Sequence, residues 1–286
     1  MMMSMACFAV EDTFIKLLSA RLPATQILFS VGYGGALITL VLAIVLNVNL
    51  ADKILLNKHV ISRTIADLFG ALSFTSAMVL IPMSLLASIL QATPLFVTLG
   101  AFVLLGEKVG WRRWLAIFIG FLGVIIILQP GYGSFQLASL LGLAAVLCLA
   151  LRDVVTRDMA TEIPTLTVTF YACLAMGSAG FIAYPFFGPP IMPTTNEATL
   201  LICAAITGLT GYFLLVLATR KGDVSVIAPF RYSRLLFSLG LASLILGEKL
   251  TLPILLGGLL VVSSGIYTFG RERASVKIQK SVNEKV

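Results

Sequence analysis

Residues Gln91 to Ile127 read QATPLFVTLGAFVLLGEKVGWRRWLAIFIGFLGVIII. Two apolar runs flank the polar turn Gly106-Glu107-Lys108. A helix rises about 1.5 Å per residue, so crossing a hydrocarbon core about 30 Å thick takes roughly 20 apolar residues. The runs predict membrane helices over 85 to 105 and 113 to 129, with Glu107-Lys108 serving turn and cap chemistry between them.

The same tripeptide returns 141 residues later as Gly247-Glu248-Lys249. At that offset Cys7 meets Cys148, Asp12 meets Asp153, Lys16 meets Arg157, Pro23 meets Pro164 and Phe29 meets Phe170. Apolar coincidences are cheap in such a chain, whereas an Asp and a Gly-Glu-Lys in register are not, so the sequence reads as two copies. Working outward gives ten spans, near 1 to 20, 27 to 49, 64 to 83, 85 to 105, 113 to 129, 136 to 156, 165 to 186, 198 to 219, 225 to 246 and 253 to 270. Five per copy is odd, so the second copy enters the membrane upside down. The basic loops agree: Lys53, Lys58, Arg112 and Arg113 correspond to Thr194, Thr199, Pro253 and Ile254, while Arg220 and Lys221 correspond to Val79 and Leu80. Arg21 opposite Glu162 runs the other way.

Of the 286 residues 59% are hydrophobic and 12% charged, far from the roughly 25% charged of a soluble domain. The predicted architecture is therefore all-α and integral to the membrane: a repeat over 1–130, its inverted mate over 136–270, and a basic tail over 271–286. Thirteen Lys and Arg residues fall in 51–63, 106–113, 220–224 and 271–286, with little more than Arg21 and Lys249 on the opposite side. That excess puts both termini in the cytoplasm of a bacterial inner membrane. It also explains the net charge of +7 without nucleic acid. The chain opens almost inside its first span and does not read as a cleavable signal peptide. Its four cysteines sit in apolar runs, and it has one histidine and no HExxH, CxxC, GxSxG or phosphate-loop motif, so neither a cofactor nor a metal is expected.

Two five-helix halves, each with a Gly-Glu-Lys turn before its last helix, resemble the drug/metabolite transporter superfamily, EamA type. The stretch quoted above is similar to that family's fourth and fifth helices. VIAPFRYSRLLFSLGLASLILGEKL, Val226 to Leu250, is similar to the ninth. The resemblance implies alternating access in a ten-helix bundle, its central cavity lined mainly by helices one, three and four and their mates six, eight and nine. It also implies substrates such as amino acids, S-adenosylmethionine, riboflavin-like vitamins, nucleotide sugars or drugs. Relatives often carry an Arg in the second helix where this chain has Val31 and Gly32.

Ionisable groups inside a span are expensive and usually face a cavity or a partner. Asp12 with Lys16, and Asp153 with Arg157, have the i,i+4 spacing of an intrahelical ion pair. Alternatively these Asp residues, or Glu11, face the cavity and carry a coupling proton. Arg231 and Arg234 either bind a carboxylate or phosphate with their planar forks or extend back to the membrane surface. Gln91 and Tyr232 are mates at the 141 offset, and both are nominated as cavity wall against plain helix–helix hydrogen bonding. Phe74 and Tyr212 either stack on a flat substrate or pack the core. Glycines 120, 123, 257, 258 and 265 suit close helix packing, including a homodimer face, so monomer and homodimer both stay open. The basic tail suits anionic lipid headgroups.

Together these features point to a secondary transporter of a small organic metabolite, an amino acid or other zwitterionic or anionic compound, driven by a proton or an exchanged metabolite. An uptake carrier for S-adenosylmethionine or a riboflavin-like vitamin is the alternative. A non-transporting assembly protein or an intramembrane enzyme is the rival from another class.

Overall fold

The computed structural model describes residues 1–50, 58–106, 110–129, 136–157, 164–186, 190–221 and 228–283. Among them the regular structure is helical, with no strand. The first half comprises α1 Met2–Leu18, α2 Ala24–Val45, α3 Lys58–Leu80, α4 Met83–Leu90, α5 Thr93–Leu105 and α6 Trp111–Leu128. The second comprises α7 Ser139–Arg157, α8 Thr165–Ala183, α9 Thr195–Lys221, α10 Ser233–Leu244 and α11 Leu252–Asn283. Each expected span meets a helix, but the fourth is divided between α4 and α5, and the ninth opens as a 3-10 segment, Ala228–Tyr232, before α10. The last helix does not stop near 270: no Gly or Pro follows Gly270, and α11 runs into the basic segment as far as Asn283.

Among the described residues five stretches are long and apolar enough to cross a bilayer: Ala24–Val45, Ile61–Leu80, Met83–Leu104, Thr165–Ala183 and Thr195–Ala218. Ile44, Phe118, Leu236 and Leu244 stand bare on the outer surface, while Ile15, Ile27, Met78, Leu86 and Leu95 fill the interior. Such an apolar exterior suits lipid rather than water, and the chain is a multi-pass membrane protein.

The break between α4 and α5 follows from Pro94. Proline has no N–H, so the carbonyl of Leu90 loses its helical donor. The hydroxyl of Thr93 donates to it instead, at 2.7 Å. Such substitution is needed wherever water is absent. At the far end of α5, Gly106 adopts φ +67°, and its mate Gly247 adopts +65°. Gly106 closes α5 and Gly247 stands just beyond the end of α10, both in the left-handed conformation that glycine tolerates best.

Helices from the two halves interleave. α2 packs on α8, α6 on α11, α4 on α10, α1 on α9 and α3 on α7. α2 and α8 run antiparallel, since Gly32 abuts Gly177 while Phe29 abuts Gly180. A methyl group on Gly32 would lie 2.2 Å from the Gly177 backbone nitrogen. α6 and α11 cross the same way, Gly120 beside Ser264 and Gly123 beside Gly257. Gly258 and Gly265 are covered by Leu235 and Tyr232. The glycines expected to suit a homodimer face are thus taken up in packing within the chain. One contact recurs when shifted by 141 residues with the halves exchanged: Gly35–Cys173 becomes Gly32–Met176, and both are contacts.

Candidate functional site

A cavity of about 240 Å³ lies where the two halves cross. Its wall comes from α1 (Glu11, Asp12), α3 (Asp67, Phe74), the α4–α5 junction (Gln91, Pro94), α7 (Arg152, Asp153), α9 (Gly208, Tyr212) and the start of α10 (Arg231, Arg234). The second and seventh expected spans also contribute, through Val31 and Gly35 of α2 and Cys173 and Met176 of α8. The lining is therefore wider than the six helices expected.

Two ion-pair systems occupy it. In the first, Arg234 grips Asp12 as a fork: Nη2 donates to Oδ1 at 2.9 Å and Oδ2 at 2.7 Å, and Nε to Oδ2 at 3.2 Å. The guanidinium centre lies 5.2 Å from the Phe8 ring and 5.7 Å from the Phe74 ring. Attraction to the ring faces adds to its anchorage. In the second, Arg152 donates to Asp153 Oδ1 from Nε at 3.0 Å and Nη2 at 2.8 Å, and from Nη1 to Asp67 Oδ1 at 3.3 Å. Arg231 Nη1 donates to the other oxygen of Asp153 at 3.2 Å. Arg63 pairs with Asp67 and donates to the hydroxyl of Tyr212.

Burying charge is tolerable here because each of these cations is paired with an anion. Two of these pairs join opposite halves: Arg234–Asp12 links α10 to α1, and Arg152–Asp67 links α7 to α3. Two residues separate the arginines: Arg231 stands in the 3-10 segment and Arg234 in the first turn of α10.

Two expectations are corrected. Asp12 does not pair with Lys16. Lys16 Nζ instead donates to the carbonyls of Met78 at 2.9 Å and Ile81 at 2.8 Å, which end α3 without intrahelical donors. A buried aspartate is better matched by a bidentate guanidinium than by a flexible ammonium one turn away. The side chain of Arg157 lies outside the described residues, and Asp153 is held by Arg152 and Arg231. Tyr232 is not cavity wall. It is buried, and its hydroxyl sits over Gly265 without a hydrogen-bond partner among the described residues. Its mate Gln91 does line the cavity, donating to Ala87 O at 3.3 Å. A 3-10 segment turns about 120° per residue against about 100° in an α-helix, so mates in register point in different directions.

Asp67 and Arg63 were missed by sequence reading. The available signal was their i,i+4 spacing inside the third span. Glu107 and Lys108 lie outside the described residues. Glu248, read as cap chemistry, caps a helix of the opposite half: it accepts from Met83 N at 2.7 Å, Ser84 N at 2.9 Å and Ser84 Oγ at 2.6 Å. Arg21 bonds Glu197, and Gln26 exchanges hydrogen bonds with the backbone of Ile191. The contacts of Glu248, Arg21 and Gln26 tie the two halves together, while Lys16 joins α1 to the end of α3 within the first half.

Residues 1–129 and 136–269 each match the EamA-like transporter family. The chain is 23% identical to an S-adenosylmethionine uptake transporter of Rickettsia prowazekii, over 96% of this chain and 92% of the relative. It is 27% identical to a riboflavin transporter of Rhizobium johnstonii, over 74% and 70%. It is 25% identical to a pseudopaline exporter of Pseudomonas aeruginosa, over 89% of both. One crystal structure matches at TM-score 0.62 and 18% identity, covering 95% of this chain and 98% of its own, which shows the shared fold.

Proposed function

Because the chain belongs to the EamA-like transporter family, we propose that it is a secondary active carrier that moves a small organic metabolite, an amino acid or other zwitterionic or anionic compound, across the bacterial inner membrane. The observation that carries this reading is the charged cavity whose ion pairs join the two halves. Asp12–Arg234 and Asp67–Arg152 each bridge them, so rocking one half against the other must stretch or remake these contacts. Arg231 uses only Nη1, and Arg234 only Nε and Nη2, on protein partners among the described residues. Their remaining N–H groups suit a substrate carboxylate or phosphate.

The halves, 1–130 and 136–270, act as inverted repeats in alternating access, with both termini cytoplasmic. Support comes from the antiparallel crossings of mates α2 with α8 and α6 with α11, and from the contact that recurs at the 141 offset. Energy comes from a proton or from an exchanged metabolite. Uptake of S-adenosylmethionine is the second reading, favoured by a relative so named that matches nearly the whole chain.

The test is a thermal-shift screen in detergent against amino acids, S-adenosylmethionine, flavins and organic acids, with counterflow of each hit in liposomes. A ligand that binds only the folded state raises apparent stability with its concentration. Saturable counterflow is expected; flux that never saturates and shows no counterflow refutes the carrier.

A further inference from the structure

The carboxylates of the cavity are not equivalent. Asp12 is taken by Arg234, Asp153 by Arg152 and Arg231, and Asp67 by Arg63 and Arg152. Glu11 is 9% exposed and lines the same cavity. Among the described residues it has neither a hydrogen bond nor an ion pair. A buried carboxylate left unmatched is costly, and such groups persist where a ligand completes them.

The internal repeat shows what is missing. At the 141 offset Glu11 corresponds to Arg152, and Gly208 to Asp67. Arg152 and Asp67 form a salt bridge of 3.3 Å between α7 and α3. The equivalent contact between α1 and α9 puts the Glu11 carboxylate against Gly208, so close that a methyl group there would lie 2.2 Å from Oε1. Where one half closes an ion pair, the other presents a carboxylate to bare backbone, and among the described residues no cation pairs with it. The neighbouring arginine, Arg234, is committed to Asp12 by three bonds.

We propose that Glu11 is the recognition group for a positively charged centre on the transported molecule, an ammonium or sulfonium, while Arg231 and Arg234 take its anionic group. This rests on the carrier reading and narrows it: the substrate is a zwitterion, and a simple organic anion is not accepted.

The test uses the purified full-length protein with L-methionine, L-phenylalanine, L-tryptophan, S-adenosylmethionine, riboflavin and the deaminated acids of the three amino acids. Affinity is read by thermal stabilisation between pH 6 and 8, and transport by counterflow. The wild type is expected to bind a member that carries a cation and to ignore riboflavin and the deaminated acids. Glu11→Gln keeps the shape and removes the charge, and should weaken that binding about 10- to 100-fold across the pH range. Glu11→Asp keeps the charge and should recover most of it. The proposal is overturned if Glu11→Gln binds as the wild type does. It is also overturned if no cation-bearing member binds the wild type, or if the tightest ligand has no cation. Loss of pH-gradient-driven accumulation in Glu11→Gln with unchanged affinity overturns it in favour of a proton site. Wild-type counterflow retained by Glu11→Gln removes Glu11 and leaves the carrier standing. A ligand that binds through Glu11 yet shows no counterflow in the wild type fails the carrier reading instead.

Discussion

Replacing Arg234 by Gln separates a structural ion pair from a decorative one. Asp12 is 2% exposed and accepts three hydrogen bonds from Arg234, at 2.7, 2.9 and 3.2 Å. The amide has two N–H groups for three bonds and brings no charge. The aspartate then stays buried without a counter-ion, a situation that costs about 3–5 kcal/mol when a buried pair loses one member. Losing the contacts with the Phe8 and Phe74 rings adds about 0.5–2 kcal/mol. The double variant Asp12→Leu, Arg234→Met removes both charges and should return to within about 1 kcal/mol of the wild type, or exceed it. Unfolding of the three proteins in one detergent, by heat and by denaturant, measures the cycle. If Arg234→Gln lies within about 0.5 kcal/mol of the wild type, the two residues are not a buried pair and the account of the cavity wall is wrong. If the double variant is as unstable as the single one, the loss comes from packing rather than from the stranded charge.

Other expectations concern the frame around the cavity. Lys16→Met deprives the carbonyls of Met78 and Ile81 of their donor and should lower stability by about 1.5–3 kcal/mol; an unchanged unfolding midpoint would show that water replaces the ammonium there. Glu248→Gln leaves one acceptor oxygen for three donors at the start of α4, and a loss of about 0.5–2 kcal/mol is expected in the same assay. Gly32→Ala drives a methyl group into the backbone at Gly177, so the variant should fail to run as a single species in size-exclusion chromatography. Gly240→Ala has open space in α10 and should be neutral or up to about 1 kcal/mol more stable; destabilisation would mean that a neighbour covers that face.

The positions of the helices were legible because lipid demands long apolar runs, and little else in the chain reads that way. Gly106 and Gly247 were legible as breaks because each stands between an apolar run and a charged pair, and both take a positive φ. Partnership was not. Asp12 has a cation four residues on, yet its partner lies 222 residues away in sequence, and only the packing of α1 against α10 brings them together. Register misled in the same way at Tyr232: equal offset means equal direction only when both copies share a helix type, and a 3-10 segment against an α-helix breaks that condition. Asp67 went unremarked because a lone carboxylate in an apolar run gives no sign of the Arg152 that meets it from α7.

The contact between Glu11 and Gly208 has a consequence for how such a protein can be built. Two identical five-helix subunits around a dyad would carry the same residue at both equivalent places, so either both would close an ion pair or both would leave a carboxylate bare. One continuous polypeptide escapes that constraint. It keeps Arg152 and Asp67 as a brace in one place and leaves Glu11 facing Gly208 at the place equivalent by the 141 offset, so a pocket walled by both halves need not be the same on its two sides.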